Sequence, residues 1–316
     1  MNRALIIGGT AAAVTAAGGV AYYFYRRSQA QALGPGSEPA PPSLDSPTPQ
    51  TPEPAPAPAP TPQLPPAGTP EAERVGVWDN VLPLPTAADV SGDLESNWGS
   101  TPPTYRPLFQ LMEEASGIEG SARIYSVIAY GESRYVPAAQ NGDGDSSRDK
   151  AERTYSNRAW NTMQGFGYNA ENVPYGPEAA NFGSGGLLGA LAPYFLAIGA
   201  VSLGKANAPL VKSPPQIIFL PRVAAFHGVV FLWRLHKQYD VKDIPDIKVG
   251  WGSPSLLSAK NRGGTTYTKI HEKFVRHAGE VGIDLSKLPS KLNVDAFPGV
   301  MPVFEKIVGT LPTRAG

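Results

Sequence analysis

Residues 121–137 read SARIYSVIAYGESRYVP, and the first thirteen of them carry a helical period. Ile124, Val127, Ile128 and Gly131 fall at three- and four-residue steps and share one side. Glu132 lies four residues after Ile128 and eight after Ile124, so the apolar face also carries a carboxyl group. Pro137 cannot continue a helix, which puts Glu132 near its C-terminus. An apolar face and the negative end of a helix dipole both disfavour an anion at that place. A carboxyl group in such surroundings suits proton donation to a glycosidic oxygen. From periodicity alone, a helix-terminal surface glutamate is the plainer reading.

Outward from this segment the pattern stays helical. Tyr105, Leu108, Leu111, Met112 and Ala115 repeat at helical spacing before it. Further helices are expected at about 220–239 and 266–281, and in the second Ile270, Phe274, Ala278 and Val281 recur at three and four. A polar, glycine-rich loop is expected from Gln140 to about Asp149. Residues 183–204, GSGGLLGALAPYFLAIGAVSLG, are uncharged and long enough to cross a bilayer. Pro193, the glycines and the lack of a basic flank argue for a buried core helix instead. No long stretch alternates with period two, so the fold class is mostly α, in a domain over residues 76–316.

The N-terminal quarter is built differently. Residues 4–25, ALIIGGTAAAVTAAGGVAYYFY, hold no charge and span roughly the ~30 Å of a hydrocarbon core. Tyr22, Tyr23 and Tyr25 followed by Arg26 and Arg27 form an interfacial belt with a charged stop. Residues 1–30 therefore read as a retained, single-pass transmembrane anchor in a lipid bilayer. A cleavable signal peptide fits less well, because only Arg3 precedes the apolar run. Two arginines after the span against one before it place the large domain on the cytoplasmic side by the positive-inside rule. Residues 31–75 read as a linker, with fifteen prolines between 35 and 70. Proline fixes φ and has no N–H to donate, so polyproline II is the expected state. At ~3.1 Å per residue it reaches on the order of 100 Å.

Composition narrows the partners. The 27 basic and 27 acidic side chains cancel, so no whole-protein field favours nucleic acid, and none is expected as a partner. The absence of cysteine excludes a disulfide framework and a cysteine-ligated zinc site. In HEKFVRH, residues 271–277, the histidines are six apart and Val275 stands where a second zinc ligand belongs. His271 and His277 are expected on a solvated helix face.

Residues 141–152, NGDGDSSRDKAE, invite a calcium reading. Asn141, Asp143, Asp145, Ser147, Asp149 and Glu152 occupy EF-hand positions 1, 3, 5, 7, 9 and 12. Asn at the first position and Ser146 at the sixth, where glycine makes the turn, count against it, and no cofactor is the default expectation.

A helix ending in Glu132-Ser133-Arg134-Tyr135, followed by Val136-Pro137-Ala138-Ala139, resembles the signature of lytic transglycosylases of the soluble Slt type. SGGLLGAL at 184–191 is similar to that family's G-A-x-G-L-M-Q segment, and IKVGWGSPS at 247–255 stands where A-x-x-Y-N-x-G is expected. TTYTKIHEKFVRH at 265–277 is similar to the closing family helix, with Tyr267 to Ile270 near its Y-V-x-K-V. The sequence departs from the family at Gly189, where Gln is usual, and at Trp251-Gly252, where Tyr-Asn is usual. About 45 residues separate the first two segments, which is long for the family.

The resemblance covers about 120–280 and implies a lysozyme-like domain acting on peptidoglycan glycan strands. It implies Glu132 as the single catalytic acid and base, with Ser133, Gly186, Leu187 and Trp251 as substrate-binding residues. Cleavage between N-acetylmuramic acid and N-acetylglucosamine would leave 1,6-anhydro ends. Such a protein belongs in a phage virion's internal membrane, where it opens the wall, or in a bacterial inner membrane facing the periplasm, the side opposite to the one that the arginines flanking residues 4–25 favour. The alternative is a non-catalytic structural or wall-binding membrane protein with a degenerate transglycosylase fold.

Overall fold

The computed structural model describes residues 78–315 apart from 143, 166, 194 and 197–211, so the expected anchor and proline-rich linker lie outside the described residues. Helix α1 (Arg106–Ser116) buries Leu108, Phe109, Leu111, Met112 and Ala115 and stops at Gly117, whose φ of 69° takes the left-handed cap. Helix α2 (Ser121–Ser133) packs on α1 and buries Ile124, Tyr125, Val127, Ile128 and Ala129. Helix α3 (Ser147–Gly165) packs along α4 (Gly176–Phe182). Helix α5 (Pro221–Tyr239) is apolar nearly all round and accordingly buried, from Val223 to Leu232. Helices α6 (Ile244–Gly252) and α7 (Thr265–Val281) pack on one another and close over α2 and α5, while α8 (Val300–Ile307) packs on α1 and α5.

The domain is thus mostly helical around one continuous core that runs from Trp98 to Val308. Each fully buried Leu, Ile or Phe contributes about 1.5–3 kcal/mol of transfer free energy to it. Two small antiparallel sheets complete the architecture. Strand β1 (Trp78–Asp79) pairs with β5 (Thr313–Arg314), joining the two ends of the domain. Strands β2 (Gln140–Asn141), β3 (Ser184–Gly185) and β4 (Ala190–Leu191) form a sheet in that order.

The helices expected at 121–133, 220–239 and 266–281 stand where the periodicity put them. Three expectations are corrected. The polar loop ends early, because α3 starts at Ser147 with the Asp149 N–H donating to the Ser146 Oγ at 3.1 Å. The uncharged run does not begin as a core helix: residues 184–191 form a β-hairpin, and residues 197–204 of the run lie outside the described residues. His277 is buried, because the inner face of α7 is Phe274, His277, Ala278 and Val281. Its ring meets Tyr130 edge-on at 5.6 Å. Among the described residues no helix is long and apolar enough to cross a membrane.

Candidate active site

Helix α2 stops at Ser133 rather than at Pro137. Arg134 and Tyr135 take left-handed φ values of 55° and 63°, and the Arg134 N–H caps the Tyr130 carbonyl at 3.1 Å. A left-handed non-glycine residue costs roughly 1–2 kcal/mol. Local contacts offset that cost. The Arg134 guanidinium lies over the Tyr130 ring at 3.9 Å, and the Tyr135 hydroxyl meets the Ser126 Oγ at 2.9 Å. This reversal fixes Glu132 and Ser133 in the last turn and turns them toward the hairpin.

The loop between β3 and β4 is a tight turn, closed by the Gly189 N–H donating to the Gly186 carbonyl at 3.1 Å. Its two glycines have φ of +78° and +65°, which side chains rarely adopt. The turn presents two carbonyls to the other segments. The Ser133 Oγ lies 2.8 Å from the Leu187 carbonyl and 3.0 Å from that of Ala129. The Trp251 Nε1–H donates to the Leu188 carbonyl at 3.1 Å. Gly189 approaches the carboxyl group so closely that a Cβ there would sit 2.9 Å from the Glu132 Cβ and 3.0 Å from its Oε2. Where the family pattern has Gln, this backbone has no room for a side chain.

Glu132, Glu152, Gly189, His227, Phe231 and Trp251 are among the residues lining one cavity of about 120 Å³. The Lys248 ammonium donates to the Glu132 Oε1, with Lys248 8% exposed and Glu132 25% exposed. Lys248 and Trp251 stand three apart in α6 and so share a face. Helix α6 is itself fixed through Asp246, which accepts from the Tyr267 hydroxyl at 2.6 Å and pairs with Arg262 at 3.1 Å. The Trp251 indole meets Phe231 edge-on at 5.1 Å and Tyr125 at 6.3 Å. His227 sits between Phe195 and Phe231, at 5.2 and 5.9 Å. Burial pushes its pKa down to about 3, so the ring is neutral at ordinary pH.

Of the residues expected at the site, Glu132 and Trp251 face the cavity. Ser133 is buried with its hydroxyl given to carbonyls, Leu187 is fully buried, and Gly186 donates its N–H to the Ala139 carbonyl at 2.9 Å. These three brace the turn and are not among the cavity-lining residues. Sequence reasoning surrounded Glu132 with apolar side chains and missed Lys248. The signal was present: a lone cation inside the apolar stretch of α6, on the same face as Trp251. It also missed His227, the one polar side chain in the buried stretch Val223–Leu232 of α5, and the place of Glu152 in the cavity wall.

The calcium loop is not realised as a loop. Asn141 lies in β2, while Ser147, Asp149 and Glu152 lie in α3, so these positions do not wrap around one centre as a calcium loop does. Asp149 is occupied as well. The Ser146 hydroxyl and the Gly142 N–H hold its carboxyl below the usual range. Asp145 is exposed, and Asp143 lies outside the described residues. Among the described residues no group of three or more His, Asp or Glu side chains is placed to hold a metal ion.

No protein-family model, curated protein or solved structure matches this chain.

Proposed function

We propose that the chain is a membrane-anchored lytic transglycosylase of peptidoglycan, with Glu132 as its acid and base. The observation that carries this reading is convergence. Three segments far apart in sequence meet at one cavity through two hydrogen bonds, Ser133 to Leu187 and Trp251 to Leu188. These are the same three segments, in the same order, that resemble the transglycosylase motifs.

In the proposed reaction Glu132 delivers a proton to the oxygen linking N-acetylmuramic acid to N-acetylglucosamine, and the C1–O bond breaks. The acetamido group of the substrate stabilises the resulting cation. Glu132 then takes the proton from the C6 hydroxyl as that oxygen bonds to C1, closing the 1,6-anhydro ring. The proton given at the first step returns at the second, so the enzyme ends as it began. Lys248 is the cationic donor to the carboxyl group and orients it through the hydrogen bond it gives to Oε1. Trp251 offers an aromatic wall to a sugar ring. The anchor expected over residues 4–25 and a linker reaching on the order of 100 Å would let the domain work at a wall some distance from its membrane.

The test is product analysis. Full-length protein in mild detergent should release 1,6-anhydromuropeptides from sacculi, and the Glu132→Gln variant should not. Equal release by both, or by neither, overturns the proposed role. The Lys248–Glu132 ion pair also favours a second reading, a non-catalytic wall-binding protein in which the pair only braces the fold. On that reading both proteins bind sacculi and neither cleaves them.

A further inference from the structure

The long stretch between the first two motif segments delivers a second carboxyl group to the cavity. Helix α3 begins inside that stretch, and its start is aimed by three contacts. Ser146 caps it, Asp149 accepts the Gly142 N–H at 2.8 Å, and Arg153 donates to the Gly144 carbonyl at 2.7 Å. The buried side of α3 is Ser156, Ala159, Trp160 and Met163. Glu152 lies four residues before Ser156, so it extends this inward face by one turn. It thereby faces the same cavity as Glu132. The Ser184 Oγ, from β3, donates to the Glu152 Oε2 at 3.2 Å and fixes the carboxylate there. Two carboxyl groups thus reach one small cavity from two different helices, α2 and α3.

We propose that Glu152 is a second catalytic residue, a general base that activates water and gives this enzyme a hydrolytic branch. The inference rests on Glu132 acting as the acid. Glu132 protonates the glycosidic oxygen and the C1–O bond breaks. Glu152 takes one proton from a water molecule whose oxygen bonds to C1. The leaving sugar gains its hydroxyl, the other fragment gains a reducing end, and both carboxyl groups exchange their protons with solvent before the next turnover. Two carboxyl groups flanking the scissile bond are what acid-and-base hydrolysis requires. The water competes with the C6 hydroxyl of the substrate, so one enzyme yields reducing ends and 1,6-anhydro ends from the same cleft.

The ratio of the two ends tests this. Full-length protein in detergent is incubated with sacculi in water enriched in heavy oxygen, and muropeptides are resolved by mass. Wild type is expected to release both ends, with heavy oxygen only in the reducing ones. Glu152→Gln should lower the reducing-to-anhydro ratio by about a hundredfold or more, the scale of a lost general base. Ser184→Ala, which leaves the carboxylate in place but unheld, should shift the ratio the same way by less. Anhydro ends alone from wild type, or an unchanged ratio in both variants, overturns the base while leaving the transglycosylase standing. No cleavage by wild type overturns both.

Discussion

Gly189 sets how closely the hairpin can approach Glu132, and its φ of +65° and the 2.9 Å to the Glu132 Cβ both exclude a side chain. Gly189→Ala should cost roughly 1–2 kcal/mol from backbone strain alone. It should also push the carboxyl group out of its pairing with Lys248. Activity on sacculi is therefore expected to fall by more than tenfold, beyond what the change in melting temperature explains; unchanged turnover would show that the close approach has no role.

His227 makes a second residue-scale prediction. Its folded pKa is about 3 against an ordinary value of 6.5, so below about 6.5 the unfolded chain binds the extra proton and stability falls as pH falls. The loss grows by about 1.4 kcal/mol per pH unit until the folded pKa is reached. His277 acts with the same sign, because burial, then Lys273 and Arg134, lower its pKa as well. Melting temperature should drop between pH 7 and 5, and His227→Phe, which keeps a ring between Phe195 and Phe231, should flatten that slope.

At the scale of elements, Ser133 joins the end of α2 to the β3–β4 turn. Ser133→Ala leaves the buried Leu187 carbonyl without its partner, which should cost about 1–3 kcal/mol. Thermal unfolding of the variant measures this, and a change within a few tenths would mean the turn is held by other contacts. What the sequence disclosed at this scale follows from pattern strength. Helices α1, α2, α5 and α7 bury one consistent stripe or nearly every face, so their apolar periods were plain. Helix α3 was not expected at all, because its opening SRDKAERT is charged and polar, and only Ser146 with Asp149 three later announced the cap. The hairpin was missed because its strands are two residues long and buried on both sides, so no alternation existed to be read.

The whole molecule brings together what no single segment shows. Motif spacing pointed to Glu132 and Trp251, and both face the cavity, whereas Lys248, His227 and Glu152 are brought beside them by the packing of α6, α5 and α3 around the turn. At the base of the domain β1 pairs with β5, and Arg222 ties the Pro83 carbonyl at 2.6 Å to that of Ile307 at 2.9 Å. The segment that would lead to the expected linker is thus stapled beside the C-terminal residues. The central claim is that this assembled cavity cleaves glycan strands through Glu132. The most direct measurement is the rate of soluble muropeptide release from sacculi by wild type and by Glu132→Gln, with the melting temperature of each recorded alongside. A loss of about a hundredfold or more in rate is expected, the scale of a lost acid–base group, while the variant still unfolds cooperatively within a few degrees of wild type. Equal rates in two folded proteins would contradict it.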